Sequence, residues 1–98
     1  MAEEAYFGIA IEISTELQRR QVQDVIKRNT DAWWHEMPDF WLVKGKSAEA
    51  WRGLLGSIFP TVGSGKLIVV KIDTASSDTW ASRAKFTDSA LRWLNENL

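Results

Sequence analysis

The sequence predicts an α/β fold of the α+β plait type, with a four-stranded antiparallel sheet, two helices on one face and a further helix after the last strand. Three observations lead to this prediction. The 98-residue chain alternates strand and helix periodicity in the order βαββαβα. An aromatic hairpin lies near its centre. The predicted strands carry apolar groups on both faces, which is typical of a sheet that is covered on both sides.

The first predicted strand, residues 6–13, alternates with period two. One of its faces carries only large apolar groups. The other face is small or polar: Tyr6, Gly8, Ala10 and Glu12. Thr15 and Gln18 then have the spacing of a capping box, which predicts a helix over residues 15–28. The basic residues at the end of this segment suit the C-terminal end of a helix dipole.

The central hairpin is predicted from two aromatic runs, residues 33–36 and 40–44, on either side of a Met-Pro-Asp junction. Pro38 fixes its backbone φ at about −65° and Asp39 can bond its own backbone, so the junction is typical of a turn. Both strands present bulky groups on both faces, and His35, the only histidine of the chain, lies among them. One face must meet the helices, and the other face needs a second cover.

The second half of the chain repeats the order of the first. A serine is predicted to cap a helix over residues 48–59, whose apolar residues have the spacing of a core-facing stripe and which ends before a proline. A β-branched strand over residues 66–73 follows. The terminal region, residues 80–98, has helical periodicity with a break near Phe86, because Thr87 and Asp88 can cap a second segment.

The order βαββαβ predicts a ferredoxin-like plait. Right-handed crossovers and the split βαβ pattern give this arrangement of four antiparallel strands and two helices, here with an extra C-terminal helix. We expect a single ferredoxin-like domain over residues 1–98, since a chain of this length forms one domain of ordinary small size.

Composition narrows the functional classes. A formal net charge of −1 gives no overall attraction to nucleic acid or to anionic membranes. The absence of cysteine excludes disulfides and thiolate chemistry and fits a cytoplasmic protein. No signal peptide is recognisable, and no apolar run approaches the roughly 20 residues of a membrane span. We therefore predict a cytoplasmic protein without a membrane partner and without a cofactor.

The hairpin pattern Trp33-Trp34-His35-x-x-x-x-Phe40-Trp41-Leu42-Val43 resembles the Trp-Trp-His…Trp-Leu-Val hairpin of the small bacterial SinR-like family. The segment Leu67-Ile68-Val69-Val70 and the ending Trp80…Leu91-x-Trp93-Leu94 are also similar to that family. The resemblance covers nearly the whole chain. It implies a ferredoxin-like fold similar to the CRISPR-associated nuclease-like subunit and to VapD-type toxins, which dimerise, and it suggests a defence or toxin–antitoxin setting.

Glu12 is the first candidate for chemistry. The resemblance implies a carboxylate at the end of the first strand that would hold a metal between two subunits, where the related nuclease-like proteins carry Asp. Glutamate can bind Mg²⁺, but its extra methylene moves the carboxylate by about a bond length, and catalysis is sensitive to such shifts. A partly exposed Glu12 bonded to a lysine such as Lys71, or to the terminal helix, is the favoured alternative, so no metal site is predicted.

His35 is the second candidate. It could act as a general acid or base near neutral pH, but no nucleophile is recognisable around it. A histidine packed among tryptophans and donating to a backbone carbonyl is favoured, so no catalytic residue is predicted. The cations of the first helix and of the hairpin exit leave a third possibility, an RNA-binding module whose hairpin aromatics stack on bases, although a solvated helix face explains them as well.

The function predicted from the sequence is that of a small homodimeric interaction module. An exposed aromatic sheet face would mark an interaction surface, covered either by the terminal helix or by another copy of the sheet. The predicted interaction residues are Tyr6, Trp33, Trp34, Trp41, Trp80 and Trp93. The alternatives are a metal-dependent nuclease with Glu12 paired across a dimer, and the RNA-binding module.

Overall fold

A computed structural model describes residues 5–13, 15–59, 65–75, 79–81 and 86–98. Within them the elements are β1 (Tyr6–Glu12), α1 (Glu16–Asn29), β2 (Trp33–Met37), β3 (Phe40–Lys44), α2 (Ala48–Gly56), β4 (Lys66–Ile72) and α3 (Asp88–Asn97). The strands form one antiparallel four-stranded sheet in the order β2-β3-β1-β4. The predicted α+β class with a four-stranded antiparallel sheet is confirmed.

The three helices begin where the sequence predicts caps. In each case a hydroxyl group accepts a hydrogen bond from the backbone N–H three residues later: Thr15 from Gln18 at 3.1 Å, Ser47 from Ala50 at 3.1 Å, and Thr87 from Ala90 at 3.2 Å. Such a bond satisfies one of the N–H groups that have no partner within the helix. The local sequence therefore determines where each helix starts.

Helices α1 and α2 cover one face of the sheet. The period-two alternation of β1 directs its odd-numbered apolar residues to this side, where they meet the apolar stripes of both helices. The main core consists of Phe7, Ile9, Ile11, Ile13, Val22, Ile26, Trp41, Val43, Trp51 and Leu55. Two indole rings are therefore fully enclosed on this face.

Helix α3 covers part of the opposite face and gives the chain a second core. Its buried residues are Trp34 and Leu42 from the hairpin and Ala90 and Leu94 from α3. The terminal helix is thus one of the two covers that the two-sided aromatic hairpin requires. None of the described helices is both long and apolar enough to cross a bilayer.

Several predicted boundaries differ from the structure. Helix α2 ends at Gly56, three residues earlier than predicted, because the chain continues as a tight turn in which Ile58 N–H donates to Leu55 O and Phe59 N–H to Gly56 O. Strands β1 and β4 each end one residue earlier than predicted. The prediction of helix from Trp80 is wrong for residues 80 and 81, which are not helical, and residues 82–85 lie outside the described part.

Candidate functional site

Two of the predicted interaction residues bond to the chain's own α3, and a third, Trp93, belongs to that helix. Trp34 is 6% exposed, and its indole Nε1–H donates to Ala90 O at 3.1 Å. Tyr6 Oη–H donates to Asn97 Oδ1 at 3.0 Å, and its ring meets the edge of Trp93 with centroids 6.2 Å apart. These polar and aromatic contacts hold α3 obliquely across the sheet, from β2 towards the start of β1.

The remaining predicted interaction residues lie in two places. Trp41 is 2% exposed beneath the helices, and the half-buried Trp33 lies beside it with ring centroids 5.7 Å apart. Trp80 lines an apolar cleft of about 380 Å³ between α3 and the sheet, together with Phe86, Leu94 and other residues. Most of these rings therefore serve packing within the chain.

The part of the sheet that α3 leaves open is formed by β1 and β4. We call it the β1–β4 strip and define it as Gly8, Ala10, Ile68 and Val70. Ile68 is 61% exposed and Val70 51% exposed. A Cβ atom added at Gly8 would lie 3.4 Å from the Phe40 ring and from Val70 Cγ2, so the small residue lets these side chains pack closely across β1.

Strand β4 is also an edge of the sheet, and the direction of its free backbone groups can be derived. Ile11 N–H donates to Asp39 O at 2.9 Å, towards β3. The N–H and C=O of one residue in an antiparallel strand point to the same side, so even-numbered β1 residues bond β4. Their β4 partners are even-numbered too. The backbone groups that point outwards belong to Leu67, Val69 and Lys71, and we call them the β4 edge.

The opposite edge of the sheet, strand β2, is built differently. Its pairing with β3 shifts register between Trp34 and Met37, as in a β-bulge, and the strand has five residues against seven in β4. Bulges and short strands are features that prevent an edge from pairing with another chain. Strand β4 is longer and pairs with β1 without a register shift, so it is the edge that is open to pairing.

Glu12 lies at the end of β1, opposite Lys66 in the register, and not opposite Lys71. Lys71 pairs with the buried Phe7 and therefore belongs to the helix-covered face, so the predicted bond between Glu12 and Lys71 is wrong. Glu12 lines an open groove of about 550 Å³ with Ala10, Asp39, Lys66, Leu67 and Ile68. Among the residues that the structure describes, no group of three or more His, Cys, Asp or Glu could hold a metal ion.

His35 stacks on Trp41 with ring centroids 3.6 Å apart and planes 6° from parallel. Its Nδ1 lies 3.0 Å from Phe40 O, a geometry in which Nδ1–H donates to that carbonyl. Nε2 is then the remaining acceptor, beside a cleft of about 380 Å³ that also contains Arg19 and Glu36. The described residues of this cleft include no Ser, Thr, Cys or Tyr, so no hydroxyl or thiol nucleophile accompanies the imidazole there.

Most of the predicted basic cluster consists of cations that face carboxylates. The pairs are Arg19–Asp39 at 3.5 Å, Arg20–Glu16 at 3.7 Å, Arg28–Asp24 and Arg52–Glu49. The hydrogen bond from Arg52 lowers the pKa of Glu49 and raises the pKa of Arg52. These exposed pairs contribute little to stability, and they leave less positive potential on α1 than the sequence suggests.

One cleft combines cations with an aromatic ring. Lys27 Nζ lies 4.9 Å from the centroid of the Trp33 ring, a cation–π contact. The cleft has a volume of about 640 Å³ and is also lined by Arg28, Lys44 and Lys46. Of the hairpin tryptophans, Trp33 is the one beside this positive charge, whereas Trp34 and Trp41 are buried.

Sequence reasoning did not single out Ile68 and Val70. The signal was present, because the predicted strand 66–73 is apolar on both faces and the last strand of a βαββαβ plait lies at an edge. An edge strand with two apolar faces leaves one of them exposed unless another element covers it. The predicted interaction residues were all aromatic instead, and most of them pack within the chain.

Comparisons of the chain with protein-family models, with curated proteins and with solved structures gave no match.

Proposed function

We propose that the chain is a small interaction module that forms a homodimer through the β1–β4 strip and the β4 edge. The observation that carries this proposal is the exposure of two β-branched residues, Ile68 and Val70, on the same face of a seven-residue edge strand that pairs with β1 without a register shift. Monomeric proteins normally bulge, shorten or cover such an edge, and grouped apolar exposure marks an interaction site.

The proposal includes a ferredoxin-like plait as the scaffold. The element order β1α1β2β3α2β4 and the strand order β2-β3-β1-β4 support that topology. In a plait of this kind the last strand lies at an edge next to the first, which is the position of β4. Membership of the SinR-like family, a cytoplasmic location and a setting in bacterial defence stay predictions.

The energy available from the strip can be compared with the cost of association. Fully burying a Val or Ile side chain gains about 1.5–3 kcal/mol, so the exposed halves of Ile68 and Val70 offer about 1 kcal/mol each. Two copies therefore gain about 4 kcal/mol from both strips, at the lower end of the estimated cost of about 4–15 kcal/mol for association. The backbone groups of the β4 edge supply the additional binding that a stable dimer requires.

Sedimentation over a range of concentrations tests the proposal. The expected result is a species of twice the 11.2 kDa chain mass that dissociates on dilution. Chains that remain monomeric at every concentration would contradict it. Labelled RNA and DNA, with and without Mg²⁺ or Mn²⁺, provide the comparison with the other two functions. Metal-dependent cleavage lost in Glu12→Ala would favour a nuclease, and salt-sensitive retention without metal would favour a nucleic-acid-binding module.

A further inference from the structure

We infer that the second copy joins by antiparallel pairing of β4 with the partner's β4, about a two-fold axis at Val69, so that two four-stranded sheets become one sheet of eight strands. This inference rests on the proposed homodimer and names its register. It requires no change in the described fold, because the groups that would bond the partner already point outwards from the β4 edge.

Symmetry restricts the possible registers. A two-fold axis normal to the sheet keeps the helix-covered faces of both copies on the same side. Residues directly opposite each other in an antiparallel pair have side chains on the same face, so odd-numbered residues must pair with odd and even with even. One residue of β4 therefore lies opposite its own copy, with the axis midway between the two, and the central residues of β4 are Ile68, Val69 and Val70.

Strand length selects among these three positions. Strand β4 has seven residues, from Lys66 to Ile72, and Val69 is the middle one. With the axis at Val69 every residue of the strand finds a partner in the other β4. Moving the axis by one residue, to Ile68 or to Val70, leaves five residues paired within the strand. The central position gives the longest ladder.

The outward backbone groups belong to odd-numbered residues, and the residue at this axis, Val69, is one of them. Val69 then faces the partner's Val69 in a hydrogen-bonded pair, and Leu67 faces the partner's Lys71 in another. Each such pair exchanges two N–H···O bonds, and the symmetric copy of the second pair brings the total to about six bonds across the junction. The even-numbered residues between them form the non-hydrogen-bonded pairs, in which side chains approach most closely.

Those closest pairs involve the two exposed apolar residues. With the axis at Val69, Ile68 lies opposite the partner's Val70, and Val70 lies opposite the partner's Ile68. Four β-branched side chains then meet on the face that α3 leaves open. Cross-strand pairs of this kind stabilise a sheet, so one register covers both residues of the strip that belong to β4.

The separation between the two Lys71 side chains favours the same register over its neighbour at Val70. With the axis at Val69, Lys71 lies four residues along the strand from the partner's Lys71, about 14 Å at 3.4 Å per residue. That separation exceeds the Debye length of about 8 Å at physiological salt. With the axis at Val70 the two lysines are two residues apart, about 8 Å, on the same face, where they repel each other.

The register also has a consequence for Glu12. Two β4 strands separate the two copies of β1, and Glu12 lies beside Lys66 at one end of the ladder, three residues from the level of the axis. From a strand spacing of about 4.8 Å and a rise of about 3.4 Å per residue, the two Glu12 carboxylates are on the order of 25 Å apart. A dimer of this form is therefore incompatible with a metal held between them.

Cysteine pairing tests the register directly, because the chain contains no cysteine of its own. The two variants are Ile68→Cys and Val70→Cys, which change exposed side chains and leave both cores intact. Opposite non-hydrogen-bonded residues have Cα atoms about 4.5 Å apart, within the range of about 4.4–6.8 Å that a disulfide bridges. Identical residues of the two copies lie about 8 Å apart at both positions, which is beyond that range.

The two variants are mixed, one of them carrying a tag that changes its size, and oxidised mildly. We expect the mixed disulfide to form at least tenfold faster than a disulfide between two copies of the same variant. Rapid pairing of Val70→Cys with itself would move the axis to Val70, and rapid pairing of Ile68→Cys with itself would move it to Ile68. Either result overturns the inferred register.

Sedimentation of the reduced variants and of the parent chain separates the two levels of the argument. A dimer whose mixed variants do not form the disulfide overturns the inferred register at Val69 and leaves the proposed homodimer standing. A chain that is monomeric throughout overturns both. A dimer with rapid mixed disulfide formation supports both.

Discussion

The substitution Val70→Lys measures how much the strip contributes to association. Val70 is 51% exposed, and fully burying a valine gains about 2 kcal/mol, so its burial at the interface contributes about 1 kcal/mol per copy. The lysine replaces this contribution in both copies, which amounts to about 2 kcal/mol for the dimer. Since 1.4 kcal/mol is a factor of ten, the dissociation constant should rise about 30-fold. Any cost of desolvating the two ammonium groups adds to that factor.

Sedimentation equilibrium on the variant and the parent chain gives the two dissociation constants. The matched control is Leu17→Lys, since Leu17 is 67% exposed on α1, on the other side of the sheet. We expect the control to dissociate within about twofold of the parent chain, because a surface change outside the interface alters stability by about 0.5 kcal/mol or less. A Val70→Lys chain that dimerises as tightly as the control would refute the reasoning. Urea unfolding confirms that both variants fold.

Four further changes test other parts of the structure. Trp34→Phe removes the bond to Ala90 O and should lower the free energy of unfolding in urea by about 1–3 kcal/mol; no change would mean that α3 is not docked through this indole. Thr87→Ala removes the cap of α3 and should lower the free energy of unfolding by about 1 kcal/mol. The helical circular dichroism signal should fall by less than the contribution of the whole of α3, and an unchanged stability would contradict the cap. His35→Phe keeps an aromatic ring on Trp41 but leaves Phe40 O without its donor. We expect the free energy of unfolding, measured by thermal denaturation, to fall by about 1 kcal/mol and the dimer to be unchanged. A lost dimer would assign His35 to the interface. Glu12→Ala should leave the dissociation constant within about twofold, since Glu12 lies on the inner strand β1, three residues from the level of the inferred axis; weaker dimerisation would argue for a face-to-face dimer with Glu12 at its centre.

The features of the fold that depend on nearby residues were predictable from the sequence. Each cap joins a hydroxyl group to an N–H three residues away, and the hairpin turn depends on Pro38 and Asp39, so a short stretch of sequence specifies them. The periodicity of β1 also predicted which of its residues form the main core. The end of α2 was not predictable, because Ile58 and Phe59 continue the apolar pattern through a turn that only the backbone bonds reveal.

The candidate site depends on distant residues, and the sequence predicted less of it. Which rings stay exposed depends on where α3 docks, and that docking is set by contacts such as Tyr6–Asn97, separated by 91 positions in the chain. The lysine opposite Glu12 depends on the register between β1 and β4. Lys66 shares the face of Glu12, whereas the predicted partner Lys71 falls on the opposite face because its number is odd. Such pairings cannot be read from local patterns.

The open strip follows from the number of helices. A helix with its side chains is about 10 Å across, and strands lie about 4.8 Å apart, so one helix covers about two strands. Helices α1 and α2 together cover all four strands on their face, whereas α3 has the other face to itself. It lies over Trp34 and reaches Tyr6, and exposure along β4 increases away from it, from the half-buried Ile72 to Val70 and then to Ile68. The three described helices therefore leave one corner of a sheet that is apolar on both faces uncovered. That corner adjoins the β4 edge, whose outward backbone groups can bind a second copy.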